Sequence, residues 1–272
     1  MRRILLSTAS ATLLLAATSP AWAQDWSGPY VGGQIGYGFQ PEDDDERILF
    51  DKDLNGQFGD TVLTVANANA FSPGFCGGSA QTNAPAGGCD EDEEGVDAGL
   101  RAGYDWQVGN WVFGGLVEYS GADITDSVSA YSTTPASYTM TRELSSVIAV
   151  RGRLGYAWER WLPYVTGGLA EGDVDRSFAT TNGVNTFVER GDDNVSGWQL
   201  GAGVETKVSD RVSVGVEYLY TSLEDDSYRV RAQGPAPATN PFILTNGAGT
   251  DFKRGDDKFD FSSLRATVSF RF

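Results

Sequence analysis

Histidine is absent from this 272-residue chain, and cysteine and methionine occur only twice each. The missing imidazole removes the commonest general base and the commonest metal ligand. Two cysteines alone do not complete a four-ligand zinc site. Basic residues are scarce as well: 20 Lys and Arg stand against 37 Asp and Glu, a formal charge of −17. Such a surface repels nucleic acid, so no nucleic-acid partner is expected. No stretch reaches 18 consecutive apolar residues, which excludes a membrane-spanning helix. That test leaves a β-barrel open, because barrel strands alternate in polarity and never form a long apolar run.

The first residues read as an export signal. Arg2 and Arg3 precede a mostly apolar stretch, 4–17, and Ala21-Trp22-Ala23 has the A-x-A form of a cleavage site, with Ala21 and Ala23 as its small residues. Residues 1–23 are therefore expected to be a signal peptide, leaving 24–272 as one domain. Without the leader, 18 basic residues face 37 acidic ones, a net charge of −19. In an exported chain, Cys76 and Cys89 are expected to form a disulfide. Closing so short a loop stabilises by roughly 3 kcal/mol in the chain-entropy treatment.

What is present in abundance is strict alternation. Val31, Ile35, Tyr37 and Phe39 share one face of the first segment; Val96, Ala98, Leu100, Ala102, Tyr104 and Trp106 share one face of the next. Six more segments repeat the pattern. Among them, Leu144 is grouped with Ile148, Val150 and Leu154. The last segment sets Leu264, Ala266, Val268, Phe270 and Phe272 against Arg265, Thr267, Ser269 and Arg271. Period-two patterning of this kind specifies strands with two unlike faces.

The connections alternate too. Turns at 108–110, 159–160 and 209–210 are short, while 41–94, 121–141, 172–194 and 221–257 are long and rich in Gly, Asp, Asn, Pro and Thr. Short turns on one side and long loops on the other are what a membrane-spanning antiparallel barrel requires. The expected fold is all-β: an eight-stranded antiparallel up-and-down transmembrane barrel with long extracellular loops, 41–94 being the first.

Three features turn the apolar face outward, to lipid. Trp106 and Trp111 flank one short turn and Trp158 and Trp161 another, as in an interfacial aromatic girdle. The polar faces carry charges of both signs: Asp97, Glu118, Glu205 and Glu217 against Arg101, Arg151, Arg153, Arg265 and Arg271. A near-balanced set suits a narrow lumen closed by ion pairs. The third feature is a last strand free to close on the first.

The terminal run ending in Phe272 resembles the signal that outer-membrane proteins present to the barrel-assembly machinery. WSGPYVGGQIGYGF (26–39) resembles the start of the small porin-like, OmpA-type barrels of alphaproteobacterial outer membranes, the RopB-like surface antigens. PYVTGGLA (163–170) and GWQLGAGVE (197–205) resemble that family's middle strands. The resemblance implies a location in the bacterial outer membrane and contact with its lipid and lipopolysaccharide.

Candidate chemistry is thin. Barrel-fold proteases, phospholipases and acyltransferases use a His general base that this chain lacks, and no phosphate-binding motif stands in its place. No enzymatic activity and no required cofactor are expected. The sharpest local motif is DKDLNGQFGD. Asp51, Asp53, Asn55 and Gly56 fall at positions 1, 3, 5 and 6 of a calcium loop, with Gln57 at 7. The bidentate Glu of position 12 is replaced by Val62, with Asp60 as a substitute in another wrap. Calcium binding and a plain solvated acidic loop both fit. The remaining acidic clusters, Asp192 and Asp193, 224–226, and Asp256 and Asp257, read as solvated loop tips, or as sites bridged by divalent cations to lipopolysaccharide. Three roles follow: a structural, monomeric envelope protein with a closed interior, a small passive channel, or a calcium-responsive adhesin.

Overall fold

The computed structural model describes residues 24–40 and 46–272. The expected signal peptide lies outside the described residues. Eight long strands close into a ring: β1 Gly28–Phe39, β2 Gly95–Val108, β3 Trp111–Ser132, β4 Ala136–Tyr156, β5 Trp161–Thr180, β6 Asn194–Lys207, β7 Val212–Glu224 and β8 Lys258–Arg271. Each pairs antiparallel with its sequence neighbour, and β8 pairs with both β7 and β1. Each strand of the ring thus has a hydrogen-bonded neighbour on both sides, which leaves no open sheet edge at membrane depth.

Alternation sorts the faces as the sequence suggests. Leu100, Leu169, Val150, Val216 and Leu264 stand exposed on the outer wall. Trp106, Trp111, Trp158 and Trp161 are exposed beside the short turns. Charged side chains point inward. A β-bulge between Leu144 and Ser146 reverses the parity of β4. Leu144 is therefore buried, and not grouped with Ile148 on the outer wall.

The strands differ in height, and three of them run on into spans expected to be long loops. β3, β4 and β5 contain 22, 21 and 20 residues, against 12 to 14 elsewhere. About 9–11 residues suffice to cross the hydrocarbon. The span 121–141 is thus a tall hairpin turning at 133–135, not a long loop, and the first part of 172–194 continues β5. Ser and Thr residues, which read as loop composition, are used here for cross-strand hydroxyl pairs: Ser127 with Thr141 at 2.9 Å and Ser129 with Thr139 at 2.7 Å.

Against this tall wall the remaining loops fold into a cap. Segments Thr186–Arg190, Arg229–Gln233, Thr250–Arg254 and Ile48–Asp51 pair in that order as a four-stranded antiparallel sheet. Their apolar faces meet the wall in one aromatic core. Phe252 is fully buried there, with rings of Phe50, Phe71, Tyr138 and Phe242 centred 5.0–6.3 Å away. On the other face of the wall lies the Cys76–Cys89 loop, closed by a disulfide with a Cα separation of 6.6 Å. The Tyr131 hydroxyl sits 3.2 Å from Cys89 Sγ.

Truncating Phe252 to Ala removes the ring around which the cap packs and is expected to cost the cap about 3–5 kcal/mol. The expected result is rapid protease cleavage within 46–94 and 225–257, while the barrel keeps its folded, heat-modifiable gel mobility.

Candidate functional site

The lumen is the most chemically loaded region of the molecule. Five guanidinium groups, of Arg101, Arg151, Arg153, Arg265 and Arg271, meet five carboxylates, of Asp97, Asp105, Glu118, Glu205 and Glu217, and all ten residues are buried. The register explains how they reach one another. Gly36 lies between Asp97 and Arg265 in a row crossing three strands, and Gly114 lies between Asp105 and Arg153. A Cβ on Gly36 would stand 2.8 Å from Arg265 Cγ, and one on Gly114 would stand 2.0 Å from Asp105 Oδ1. A glycine on the middle strand lets an arginine cross it to an acid two strands away.

The charges form two layers. Toward the cap, Arg151 meets Glu118 at 2.6 Å and Glu217 at 3.1 Å, while Arg101 meets the same two acids at 3.4 and 3.2 Å. Arg265 donates to Glu118 at 2.6 Å and to Asp97 at 2.6 Å. Gln34 accepts from Arg101 Nε at 3.0 Å, and the Tyr164 hydroxyl donates to Glu217 at 2.8 Å. Toward the short turns, Arg153 grips Asp105 through two parallel bonds of 2.8 and 2.5 Å and reaches Glu205 at 2.6 Å. Arg271 meets Asp105 at 2.7 Å. The rings of Tyr30 and Tyr164 flank the Arg153 guanidinium, each 5.1 Å away.

Below these layers Trp26 is fully buried, with Arg271 and Lys207 over its ring at 5.0 and 5.2 Å. Above them lies an apolar layer of Ile124, Leu144, Val174, Leu223, Phe259 and Phe261. A second ionic cluster, around Asp126, then joins barrel to cap. Arg142 and Arg254 both donate to Asp126, at 2.7 and 2.5 Å, and Arg254 also pairs with Glu46. Asp225 pairs with Arg176 at 2.7 Å, and Asp92 accepts from the Ser127 N–H at 2.7 Å. Asp225 is therefore a buried structural acid, not a solvated loop tip.

All nine interior charges named from the sequence lie in the lumen. Asp105 was recognisable from its spacing of four beyond Arg101 and eight beyond Asp97 on one strand face. Trp26, Tyr30 and Tyr164 were hidden because aromatic residues in a barrel sequence point as readily to lipid. Leu264, Ala266, Val268, Phe270 and Phe272 lie on the outer wall, exposed. Asp51, Asp53 and Asp60 bring carboxylate oxygens within 4.8 Å of one another. Asp51 accepts from the Asn55 and Gly56 N–H groups at 3.1 and 2.7 Å, and Asp60 from Lys52 N–H at 2.9 Å. The Asn55 side chain bonds Asp53 and the Gln57 N–H, so the turn is ordered by its own hydrogen bonds.

A sequence model described as "Outer membrane protein beta-barrel domain" matches residues 9–272. The chain belongs to the outer-membrane β-barrel protein family. The 31 kDa outer-membrane immunogenic protein of Brucella melitensis is 36% identical over 207 residues, covering 75% of this chain and 74% of its own. The 22 kDa outer membrane protein of Rhizobium leguminosarum bv. viciae is 30% identical over 166 residues, 60% of this chain and 70% of its own. Among solved structures, Neisserial surface protein A aligns over 90% of this chain and 98% of that one, at 12% identity and a TM-score of 0.37. Membership in the family puts the protein in the outer membrane, with the exposed apolar wall facing lipid.

Removing one member of the buried network leaves its partners charged and unpaired. Arg151→Ala is expected to cost about 3–5 kcal/mol, read as a lower temperature for conversion to the unfolded gel form. The cap junction adds a pH dependence. Burial pushes the Glu46 carboxyl up to about 7, with Arg254 opposing and Asp126 reinforcing the shift. Burial, reinforced by Asp126, pushes Asp92 up to about 6. Both acids hold protons in the folded cap that the unfolded chain has released, so stability falls as pH rises through these values. The cap is expected to resist protease better at pH 5.5 than at pH 8, and Glu46→Gln is expected to flatten that difference.

Proposed function

We propose that this protein is a structural element of the outer membrane: a monomeric, closed barrel that braces the envelope and displays a folded cap for surface contacts. The observation that carries this reading is the succession of buried side chains along the axis. Trp26, two ion-pair layers, an apolar layer and the cap junction succeed one another along the lumen. An interior of eight strands is just wide enough for side chains to fill, and fixed ion pairs oppose the passage of hydrated solutes. No catalysis is assigned to it, because the buried acids are committed to arginines. The lipid-facing belt supports contact with outer-membrane lipid and lipopolysaccharide, and the outward row from Leu264 to Phe272 suits recognition by the barrel-assembly machinery.

Planar-bilayer recording of the purified, folded barrel tests the closed lumen. The expected record is silent at voltages where a known porin conducts. Discrete, reproducible conductance steps would transfer the assignment to a passive channel. Deletion is expected to sensitise cells to detergent, and the Arg151→Ala chain to restore less resistance than the parent chain.

A further inference from the structure

The outermost end of the cap contains a pocket of about 210 Å³. It opens between the hairpin tip at 132–136, the bend at 181–184 and the segment 240–242. Its floor is aromatic: Tyr138 and Phe242 line it and are 2% and 4% exposed. Thr133, Thr134, Asn182 and Asn240 also line it, the two asparagine amides being held by hydrogen bonds within the protein. Not one lining residue is charged, on a chain of net charge −17.

These features define the occupant. A cavity of about 150 Å³ admits one benzene ring, so this one takes a single six-membered ring with its substituents. The surrounding acidity opposes anions. An aromatic floor with hydroxyl and amide groups around it matches a molecule with an apolar face and several hydroxyls. The Tyr138 hydroxyl accepts from Asn182 Nδ2 at 2.9 Å and has the Ser132 hydroxyl beside it. Both hydroxyls belong to residues that line the pocket, so a hydroxyl group on a ligand can join them. The bend at 181–184 is itself fixed, since Asn182 Oδ1 accepts from the Val184 and Asn185 N–H groups at 2.8 and 3.2 Å.

We propose that this pocket binds one neutral sugar ring of a glycan presented outside the cell. The position, at the tip of the longest hairpin, makes it accessible to long polysaccharides. A single ring of this size binds weakly, with a dissociation constant on the order of 1 mM.

Saturation-transfer NMR on the full, folded chain in a sugar-free detergent tests this, with the methyl glycosides of glucose, galactose and N-acetylglucosamine as probes and methyl glucuronide as the charged control. Transfer to at least one neutral glycoside, with little to glucuronide, is expected. Val184→Trp, which fills the rim, is expected to abolish transfer while the chain keeps its heat-modifiable mobility; Thr133→Trp blocks the opposite rim should the first variant misfold. Tyr138→Phe, which keeps the ring and removes the hydroxyl, is expected to weaken binding about 10-fold. No transfer to any neutral glycoside, equal transfer to glucuronide, or transfer persisting in a folded rim variant would overturn the proposal. Oligosaccharides from the cell's own envelope, compared with those of other cells, then tell which surface supplies the ring.

Discussion

An eight-stranded ring encloses a space that side chains must fill, and charged side chains confined there must neutralise one another. That constraint shapes the rest of the barrel. Each strand offers its inward face every second residue, so an arginine reaches an acid on the adjacent strand, as Arg101 and Arg151 reach Glu118, or over a neighbouring strand, or across the lumen. Gly36 and Gly114 open the crossings for Arg265 and Arg153. The sharing of Glu118 and Glu217 by several arginines gives each of these acids more than one cationic partner. A network in which every charge has an opposite neighbour is tolerable in a low dielectric where a broken one is not. Each charge in the lumen therefore depends on partners supplied by other strands.

Beyond the ion pairs the axis alternates between apolar and ionic layers, and this alternation couples barrel to cap. Leu144 faces inward because the bulge in β4 changes parity between the arginine layer and the junction. The same strand then carries Arg142, Met140 and Tyr138 inward, toward Asp126 and the aromatic core. One strand thus contributes in turn to the lumen network, the apolar layer, the junction and the cap. Residues from 46–94, from the β3–β4 hairpin and from 225–257 enter a single core, so the surface segments hold one another in place. The Cys76–Cys89 loop covers the opposite face of the tall wall, where Ser127 and Ser129 use their hydroxyls across the hairpin.

The barrel was legible in the sequence because lipid enforces a simple pattern: apolar outward, polar inward, period two. The nine interior charges could be read from that parity. The cap was not legible for a physical reason. Its core residues, such as Phe50, Phe71, Phe242 and Phe252, are separated by polar and Gly-rich spans, and their packing is decided by contacts between distant loops. The height of β3 and β4 was missed because the Ser- and Thr-rich tip of the hairpin has the composition of a loop. Asp225 reads from the sequence as a solubilising acid, and nothing local sets Asp92 or Glu46 apart; only their arginine partners and hydrogen-bond donors, brought from elsewhere in the chain, make them structural.

The balance of charge inside the lumen has a consequence outside it. Five arginines and five acids cancel there, so the excess acidity of the chain belongs to the rest of the molecule. The junction absorbs part of it through Arg142, Arg176 and Arg254. What is left forms a negative field over the exposed cap, extending about 8 Å at physiological salt. That field discourages anionic polymers and leaves uncharged groups to meet the surface on short-range terms. An uncharged, aromatic-floored recess at the outer tip is thus the part of the cap where shape and hydrogen bonding, rather than charge, decide what is retained.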